Sequence, residues 1–360
     1  MAQIDAFFKL MNDEGASDLH MISGQQPVLR IRGDMERVKY KVLNNEELTA
    51  MLYEICPEDK IKVFEELGDM DFGYEIPGLA RYRCNFFQQK YGIGAVFREI
   101  PSDILTCEQL GMPKVVSKLA TLPKGLVLVT GPTGSGKSTT LAAIVDEVNK
   151  IRKDHIITIE DPIEFVHKSK QCIVNHREVG THTKSFTAAL RGALREDPDV
   201  ILVGELRDLE TISLAMEASM TGHLVFGTLH TLNAMKTVDR IVEIFPASQQ
   251  AQVRSTLADA LRAVISQTLL KRIDIKGMVA ALEILICTPA VRNLIREGKT
   301  YQIPSVMQTG KKYGMQNLDD ALMELMKKKK ISVEDAYINC MEKQNFVKFL
   351  KKPPVDFTEV

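Results

Sequence analysis

Nearly continuous apolar runs alternate with helical patterns from about residue 125 onward. The runs cover residues 126–130, 156–159, 200–203 and 224–228. Continuous apolar runs are typical of parallel strands with helices packed on both faces of the sheet, because neither face meets water. The alternation therefore predicts an α/β nucleotide-binding core, and the chain after Pro289 reads as mainly helical.

The first 100 residues predict a smaller α+β domain. Helical patterns cover residues 4–11, 46–53 and 58–67, and strand patterns at 27–32 and 37–42 flank a Gly-Asp turn. Residues 81–86 alternate with a period of two, which puts Arg81, Arg83 and Asn85 on one face of a strand. The predicted division is a domain over 1–100, a linker over 101–124 and a second domain over 125–360.

Composition and charge exclude several other classes of protein. A formal net charge of -1 argues against a dedicated nucleic-acid binder, which usually carries a basic excess. The six cysteines contain no C-x-x-C pair, so they predict buried reduced thiols rather than a zinc ribbon. No signal-peptide pattern and no apolar run of roughly 20 residues is present, so a cytoplasmic protein is expected.

One segment matches the phosphate-binding pattern G-x-x-x-x-G-K-[ST] in full. A predicted strand precedes it and a helical pattern follows, as the motif requires. Glycines let backbone N–H groups converge on phosphate oxygens, and the helix N-terminus adds partial positive charge. We expect Lys137 to reach the β- and γ-phosphates of ATP and the Ser138 hydroxyl to ligate Mg²⁺. The predicted nucleotide-binding residues are Gly131, Pro132, Thr133, Gly134, Ser135, Gly136, Lys137, Ser138 and Thr139.

Acidic residues follow two of the predicted strands, at the edge of a parallel sheet where ligands bind. Gly204 stands where a P-loop NTPase usually has an Asp, so Glu205 is expected to organise Mg²⁺ through water. Glu160 or Glu164 is expected to polarise the attacking water, and Glu164 is preferred. The competing interpretation is that these acids only cap helices, since Asp161-Pro162 is a good helix start.

Histidines and arginines supply further candidates for phosphoryl transfer. His223 and His230 flank the run 224–228, and His230 follows it at the expected ligand edge, where it could sense the γ-phosphate. Reactions of this class commonly need a cationic finger. The candidates are Arg195, Arg207 and Arg240 in the core, and Arg81, Arg83 and Arg98 in the first domain, which could reach a neighbouring subunit.

Taken together, the motifs resemble those of the secretion ATPase superfamily of type II secretion and type IV pili. Over nearly the whole chain, in order, segments are similar to that family's N-terminal signature, P-loop, Asp box, atypical Walker B and His box. They are residues 15–20, 131–138, 157–164, 201–208 and 221–231. The resemblance implies catalytic roles for both His223 and His230.

Within that superfamily, two features of the chain resemble those of the retraction branch, the PilT family. The chain lacks the extra N-terminal domain and the four-cysteine module of assembly and secretion members. Residues 290–297, A-V-R-N-L-I-R-E, are similar to that branch's A-I-R-N-L-I-R-E, with Val291 for Ile. From the residues alone this is a helix with an apolar stripe and an arginine pair on another face, which is either a docking surface or a plain amphipathic helix.

The resemblance implies a PAS-like N-terminal domain, a RecA-like ATPase domain and a homo-hexameric ring with ATP held between the two domains. It implies pilus retraction, in the cytoplasm, docked on an inner-membrane pilus platform protein at the pilus base. Contact with the membrane machinery would be peripheral, and no nucleic acid would be bound. The resemblance also favours Arg81, Arg83 and Arg98 as residues that act on a neighbour's nucleotide, with Arg83 and Arg98 taken as the catalytic candidates, although the finger is not assigned to one arginine.

Three other functions compete with a retraction motor. The first is an accessory paralogue that assists the main motor. The second is a RecA-like nucleic-acid translocase, which the near-neutral charge disfavours. The third is a regulatory module that binds ATP without turnover, which Lys137, Ser138, Glu164 and Glu205 disfavour.

Overall fold

The computed structural model describes residues 2–31, 33–100 and 103–352. The chain divides into two compact units, each described here by itself. Unit 1 contains Met1–Ile104 together with Pro162–Val166, and unit 2 contains Leu105–Asp161 and His167–Val360. The short segment Pro162–Val166 therefore belongs with the N-terminal unit, although its sequence lies within the predicted second domain.

Unit 1 is built on a six-stranded antiparallel sheet with the order β3-β2-β1-β6-β5-β4. Its strands are β1 Asp18–Ile22, β2 Val28–Ile31, β3 Asp34–Arg37, β4 Asp69–Ile76, β5 Ala80–Gln89 and β6 Gly92–Ile100. Its helices are α1 Asp5–Glu14, α2 Asn45–Tyr53 and α3 Glu58–Leu67.

Aromatic packing holds this unit together on one face of its sheet. Phe8 stacks on Tyr82 with ring centroids 4.1 Å apart and meets Phe97 edge-on at 5.0 Å. Burial alternates along β5, so Tyr82 is in the core while Arg81 and Arg83 lie on the opposite face. The predicted period of two along this strand is thereby confirmed.

Unit 2 contains a seven-stranded sheet with the order β13-β12-β7-β11-β10-β8-β9. All of its pairs are parallel except that of β12 with the edge strand β13. The strands are β7 Gly125–Thr130, β8 His155–Glu160, β9 Ile173–Glu178, β10 Val200–Val203, β11 Leu224–Leu229, β12 Leu261–Lys271 and β13 Met278–Ile286.

Helices cover both faces of this sheet, so alternate residues of each central strand enter two separate cores. Leu128 and Val203 belong to one core, and Val129 and Phe226 to the other. The α-helices are α4 Lys114–Lys118, α5 Lys137–Ile151, α6 Phe186–Ala193, α7 Leu209–Thr221, α8 Ala234–Glu243, α9 Gln250–Ala260, α10 Pro289–Arg296, α11 Ile303–Thr309, α12 Leu318–Lys327, α13 Val333–Asn339 and α14 Gln344–Val347. Short 3-10 turns occupy Leu119–Thr121, Thr300–Gln302 and Gly310–Tyr313.

The predicted α/β class, with its parallel sheet and helical C-terminal region, is confirmed. The second strand of the early hairpin was placed wrongly, because Ile31 pairs with Asp34 and the strand therefore starts directly after the turn.

Within the described part of the chain, no helix is long and apolar enough to cross a bilayer. All six cysteines are buried free thiols, as predicted. Predicted bounds that include residues 1, 32, 101–102 and 353–360 lie partly outside the described residues.

Buried Glu283 on β13 joins two helix starts in unit 2. Its carboxylate accepts a 2.7 Å hydrogen bond from the N–H of Ala234, where α8 begins. Burial raises the pKa of Glu283 above its ordinary value, and the negative charge of Asp319 raises it further. The hydrogen bond from Ala234, and a second one from the N–H of Leu318, where α12 begins, lower the pKa but do not outweigh burial. The folded chain therefore holds the Glu283 proton more tightly than the unfolded chain.

The raised pKa gives a signed pH dependence. A folded pKa above the unfolded one stabilises the fold below both values, and this stabilisation is lost as pH rises through the folded pKa. We expect the free energy of unfolding of wild type, measured against Glu283→Gln by denaturant titration, to fall as the pH rises from about 4 to about 7. Exposed Glu243 provides the control substitution, Glu243→Gln. If the free energy of unfolding of wild type, relative to Glu283→Gln, instead increased with pH, the predicted direction would be wrong.

Candidate functional site

A glycine-rich loop joins the end of β7 to the start of α5. Gly131, Gly134 and Gly136 have φ of 141°, 76° and 84°, which L side chains rarely adopt. A Cβ at Gly131 would also lie 2.3 Å from the backbone oxygen of Gln267. Glycine at this position is therefore required by space as well as by conformation.

The start of α5 presents backbone donors and a cation to the loop. Its N-cap is Gly136, which has no side chain to satisfy the first N–H groups of the helix. Lys137 Nζ lies 3.0 Å from the carbonyl oxygens of Gly131 and Pro132, so its ammonium group is held over the loop. Ser138 and Thr139 are half-buried at the same helix start. These groups suit a polyphosphate.

A second set of polar groups lies at the same edge of the sheet. Glu205 follows β10, and His230 follows the neighbouring parallel strand β11. Glu205 Oε1 is 3.1 Å from His230 Nε2, and Glu205 Oε2 accepts a 2.7 Å hydrogen bond from Arg207. A cavity of about 270 Å³ opens here, lined by Glu205, Leu206, Arg207, Leu229, His230, Thr231, Arg240 and Ile244.

The surroundings of Glu205 keep its carboxylate ionised. Burial alone would raise its pKa, but the hydrogen bond and charge of Arg207, together with nearby His230, outweigh burial and lower the pKa below its ordinary value. An ionised carboxylate at neutral pH accepts hydrogen bonds from metal-bound water. Glu205 therefore has the charge state that its predicted role requires.

Gly204 lies close to the end of the neighbouring strand β8. A Cβ on Gly204 would lie 3.3 Å from both the Cα of Glu160 and the backbone oxygen of Ile159, tighter than most real contacts. The backbone N–H of Gly204 also donates to that Ile159 oxygen at 2.8 Å. A side chain at 204 would therefore be crowded by the end of β8, and the acidic residue of this segment is the next one, Glu205.

The two predicted histidines lie at opposite ends of β11. His223 precedes the strand, and its Nδ1 is 2.9 Å from the carbonyl oxygen of Ala218. The strand has six residues, which span about 20 Å. The structure brings His230 together with Glu205 but leaves His223 at the far end of the strand, and the catalytic role of His223 stays a prediction.

Arg83, Arg98 and the preferred carboxylate Glu164 belong to unit 1. Arg83 and Arg98 are directly paired on β5 and β6. Arg98 donates to Asp18 at 2.8 Å, whereas the Nε of Arg83 is 3.6 Å from Asp71. Glu164 is half-buried in the segment Pro162–Val166, where Arg81 donates to the carbonyl oxygen of Ile163 at 3.1 Å. Both candidate fingers thus lie on one sheet face, and Arg98 is oriented by a buried aspartate.

The donors present fit Mg²⁺ bound together with a nucleotide. Among the described residues no group of three or more His, Cys, Asp or Glu side chains forms a ready metal site. Mg²⁺ usually keeps several waters and is held by one or two protein groups plus substrate phosphates. The half-buried Ser138 hydroxyl beside the loop and the ionised Glu205 carboxylate are donors of this kind.

Sequence reasoning missed Gln267 of β12, whose side chain contacts both the loop and α5. A signal was available, because Ser266 and Gln267 directly follow the apolar run 263–265 in this strand. Their significance depends on which strand lies beside β7, and that pairing is not visible in the sequence.

Comparison with known proteins gives one family. The model of the Type II/IV secretion system protein family matches residues 3–292. The chain is 56% identical over 333 residues to the Pseudomonas aeruginosa protein described as "Type IV pilus retractation ATPase PilT", with 92% of this chain and 96% of that protein covered. It is 38% identical to "Type IV pilus ATPase PilU" of the same organism, with 93% and 87% covered.

Solved structures agree with this similarity. A crystal structure of the pilus retraction motor PilT with bound ADP matches with a TM-score of 0.87 and 46% identity, covering 96% of this chain and 98% of that one. The ATPase DotB of Legionella pneumophila matches with a TM-score of 0.80 and 28% identity, covering 93% and 94%.

Glu205 provides the first test of the site. We expect Glu205→Gln to slow phosphate release from Mg-ATP at least about 100-fold, because an amide has the shape of the carboxylate but lacks its charge. Nucleotide binding should persist, since the glycine-rich loop is unchanged. Exposed Glu210, which pairs with Arg191, provides the control substitution Glu210→Gln. Equal rates for the two variants would remove Glu205 from the reaction.

Proposed function

The chain belongs to the Type II/IV secretion system protein family, as predicted from its motifs, and we propose that it is a motor ATPase that powers retraction of type IV pili. The observation that carries the proposal is one sheet edge holding both the phosphate loop with Lys137 and the ionised Glu205 beside His230. The 56% identity to a protein named for pilus retraction supports the choice of process.

In the proposed reaction, water attacks the γ-phosphorus of ATP, and the bond to the β–γ bridging oxygen breaks to give ADP and phosphate. The loop amides and Lys137 bind the phosphate oxygens and stabilise the charge that develops on them. Glu164 orients the water and accepts its proton, and His230 hydrogen-bonds the γ-phosphate while Glu205 fixes its ring. His223 is retained as a candidate whose contribution is expected to be smaller.

Mg²⁺, when bound by Ser138 and through water by Glu205, supplies positive charge that neutralises the phosphate oxygens. The proposed active assembly is a homo-hexamer in which Arg83 or Arg98 of one subunit reaches the nucleotide of its neighbour. Their positions on one face of β5 and β6 support this, because both arginines project from the same side of the sheet. Cationic fingers of this kind are worth roughly 10³–10⁵ in rate.

The proposed location is the cytoplasm, docked on the platform protein at the inner-membrane base of the pilus. Helix α10, which carries the retraction-type motif, buries Val291 and Ile295 completely. The apolar stripe is therefore core, and the surface available to a partner is the polar one that carries exposed Asn293 and Arg296. Arg296 pairs with Asp259 there, which orients it.

Pilus dynamics in living cells test this function. Cells lacking the gene should carry long pili that never shorten, and wild type but not Lys137→Ala should restore shortening. Bald cells would indicate an assembly role. Normal retraction in the deletion strain would favour the alternative, an accessory paralogue that assists another motor.

Mixing two kinds of inactive subunit tests whether an arginine of one subunit acts on the nucleotide of its neighbour. Arg98→Ala and Lys137→Ala are each expected to hydrolyse almost no ATP, but mixed rings should regain activity, since about a quarter of random interfaces combine an intact loop with an intact finger. The same mixing with Arg83→Ala decides between the two arginines.

Arg30→Ala is the matched control, because Arg30 also pairs with Asp18, at 3.8 Å, without being a candidate finger. It should hydrolyse ATP at close to the wild-type rate. A finger that acts within its own subunit would leave every mixture inactive.

A further inference from the structure

Gln267 is a buried polar residue that links the phosphate loop to the helix behind it. It lies on β12 with 3% of its surface exposed. Its Oε1 accepts a 2.7 Å hydrogen bond from the hydroxyl of Thr140 in α5, and its Nε2 donates to the carbonyl oxygen of Ser135 in the loop. One side chain thus satisfies a buried acceptor in the loop and a buried donor in the helix.

Strand pairing places Gln267 under the loop. β12 runs parallel to β7 with Ser266 opposite Thr130, the last residue of β7. Gln267 is the next residue of a strand that continues where its neighbour turns into the loop. A Cβ at Gly131 would lie 2.3 Å from the Gln267 backbone oxygen, and one at Gly136 would lie 3.2 Å from its Nε2. The loop is therefore wrapped directly over this residue.

We propose that Gln267 is a positioning residue that fixes the peptide orientation of the phosphate loop and thereby its affinity for nucleotide. It acts through Ser135 and Thr140 without touching the nucleotide. The inference rests on the proposed role of the loop in binding ATP. An amide is needed because the site presents one acceptor and one donor: leucine satisfies neither, and an ionised glutamate accepts but does not donate.

A loss of both bonds should weaken nucleotide binding. Each buried hydrogen bond contributes on the order of 1 kcal/mol, and leaving its partners unsatisfied adds to the loss, so Gln267→Leu should raise the Kd for ADP about tenfold or more. The turnover rate at saturating ATP should change much less, because the residues that meet the attacking water are unaltered. A residue that only stabilised the fold would not separate these two quantities.

The test measures the Kd of a fluorescent ADP analogue for full-length wild type, Gln267→Leu and Gln267→Glu, with melting temperatures recorded in parallel. Ser266→Ala is the matched control, because Ser266 makes a buried 2.8 Å hydrogen bond to Thr130 between the same two strands without contacting the loop. It should change the Kd by less than about twofold, since only one hydrogen bond away from the loop is lost.

The glutamate variant gives a readout that simple destabilisation does not produce. A protonated glutamate both accepts and donates, so the affinity of Gln267→Glu relative to wild type should recover as pH falls. Gln267→Leu should show no such recovery. If the leucine variant does not fold, the pH profile of the glutamate variant decides the question.

The proposal is overturned if Gln267→Leu binds ADP like wild type, or if Ser266→Ala weakens binding as much as Gln267→Leu does. It is also overturned if the affinity of Gln267→Glu for ADP, relative to wild type, does not change with pH. Lys137→Ala separates this from failure of the site itself. Unchanged ADP binding in Lys137→Ala would refute the loop as the nucleotide site, whereas lost binding there with normal binding in Gln267→Leu would refute only the role of Gln267.

Discussion

The parallel hydrogen bonding of β7, β11 and β10 is the constraint on which the candidate site depends. Thr130 pairs with Leu229, and Val203 pairs with Gly227, so the carboxyl ends of all three strands reach one edge of the sheet. The glycine-rich loop, His230 and Glu205 each follow one of these strands. Groups far apart in the sequence therefore meet at one edge without any contribution from their local sequence.

Close packing at this edge decides which residue types are tolerated there. Gly204 has little room beside Glu160, and a Cβ at Gly227 would lie 2.8 Å from Leu206. The loop glycines are restricted in the same way by Gln267 beneath them. Small residues let the strand ends pack tightly, and the charged groups then project from the positions that remain. The atypical Gly-Glu ending after β10 is compatible with this packing.

The central strands were predictable because burial on both faces makes them continuous apolar runs. β9 was missed because it is a partly exposed edge strand whose sequence, I-V-N-H-R-E, contains no continuous apolar run. β12 and β13 follow the last predicted run and were not assigned as strands. Glu205 and His230 were found by their position after strands. The contacts of Gln267 and Asp18 depend on strand register, which one sequence does not reveal.

Hydrolysis of ATP at the loop edge is the central claim, and one measurement tests it most directly. Phosphate release by the purified chain would be followed with ATP, with and without Mg²⁺, beside Lys137→Ala. Release that requires Mg²⁺ and is lost in Lys137→Ala is the predicted result. Release at the same rate by both proteins, or by neither, would contradict the claim that this edge is an ATPase site.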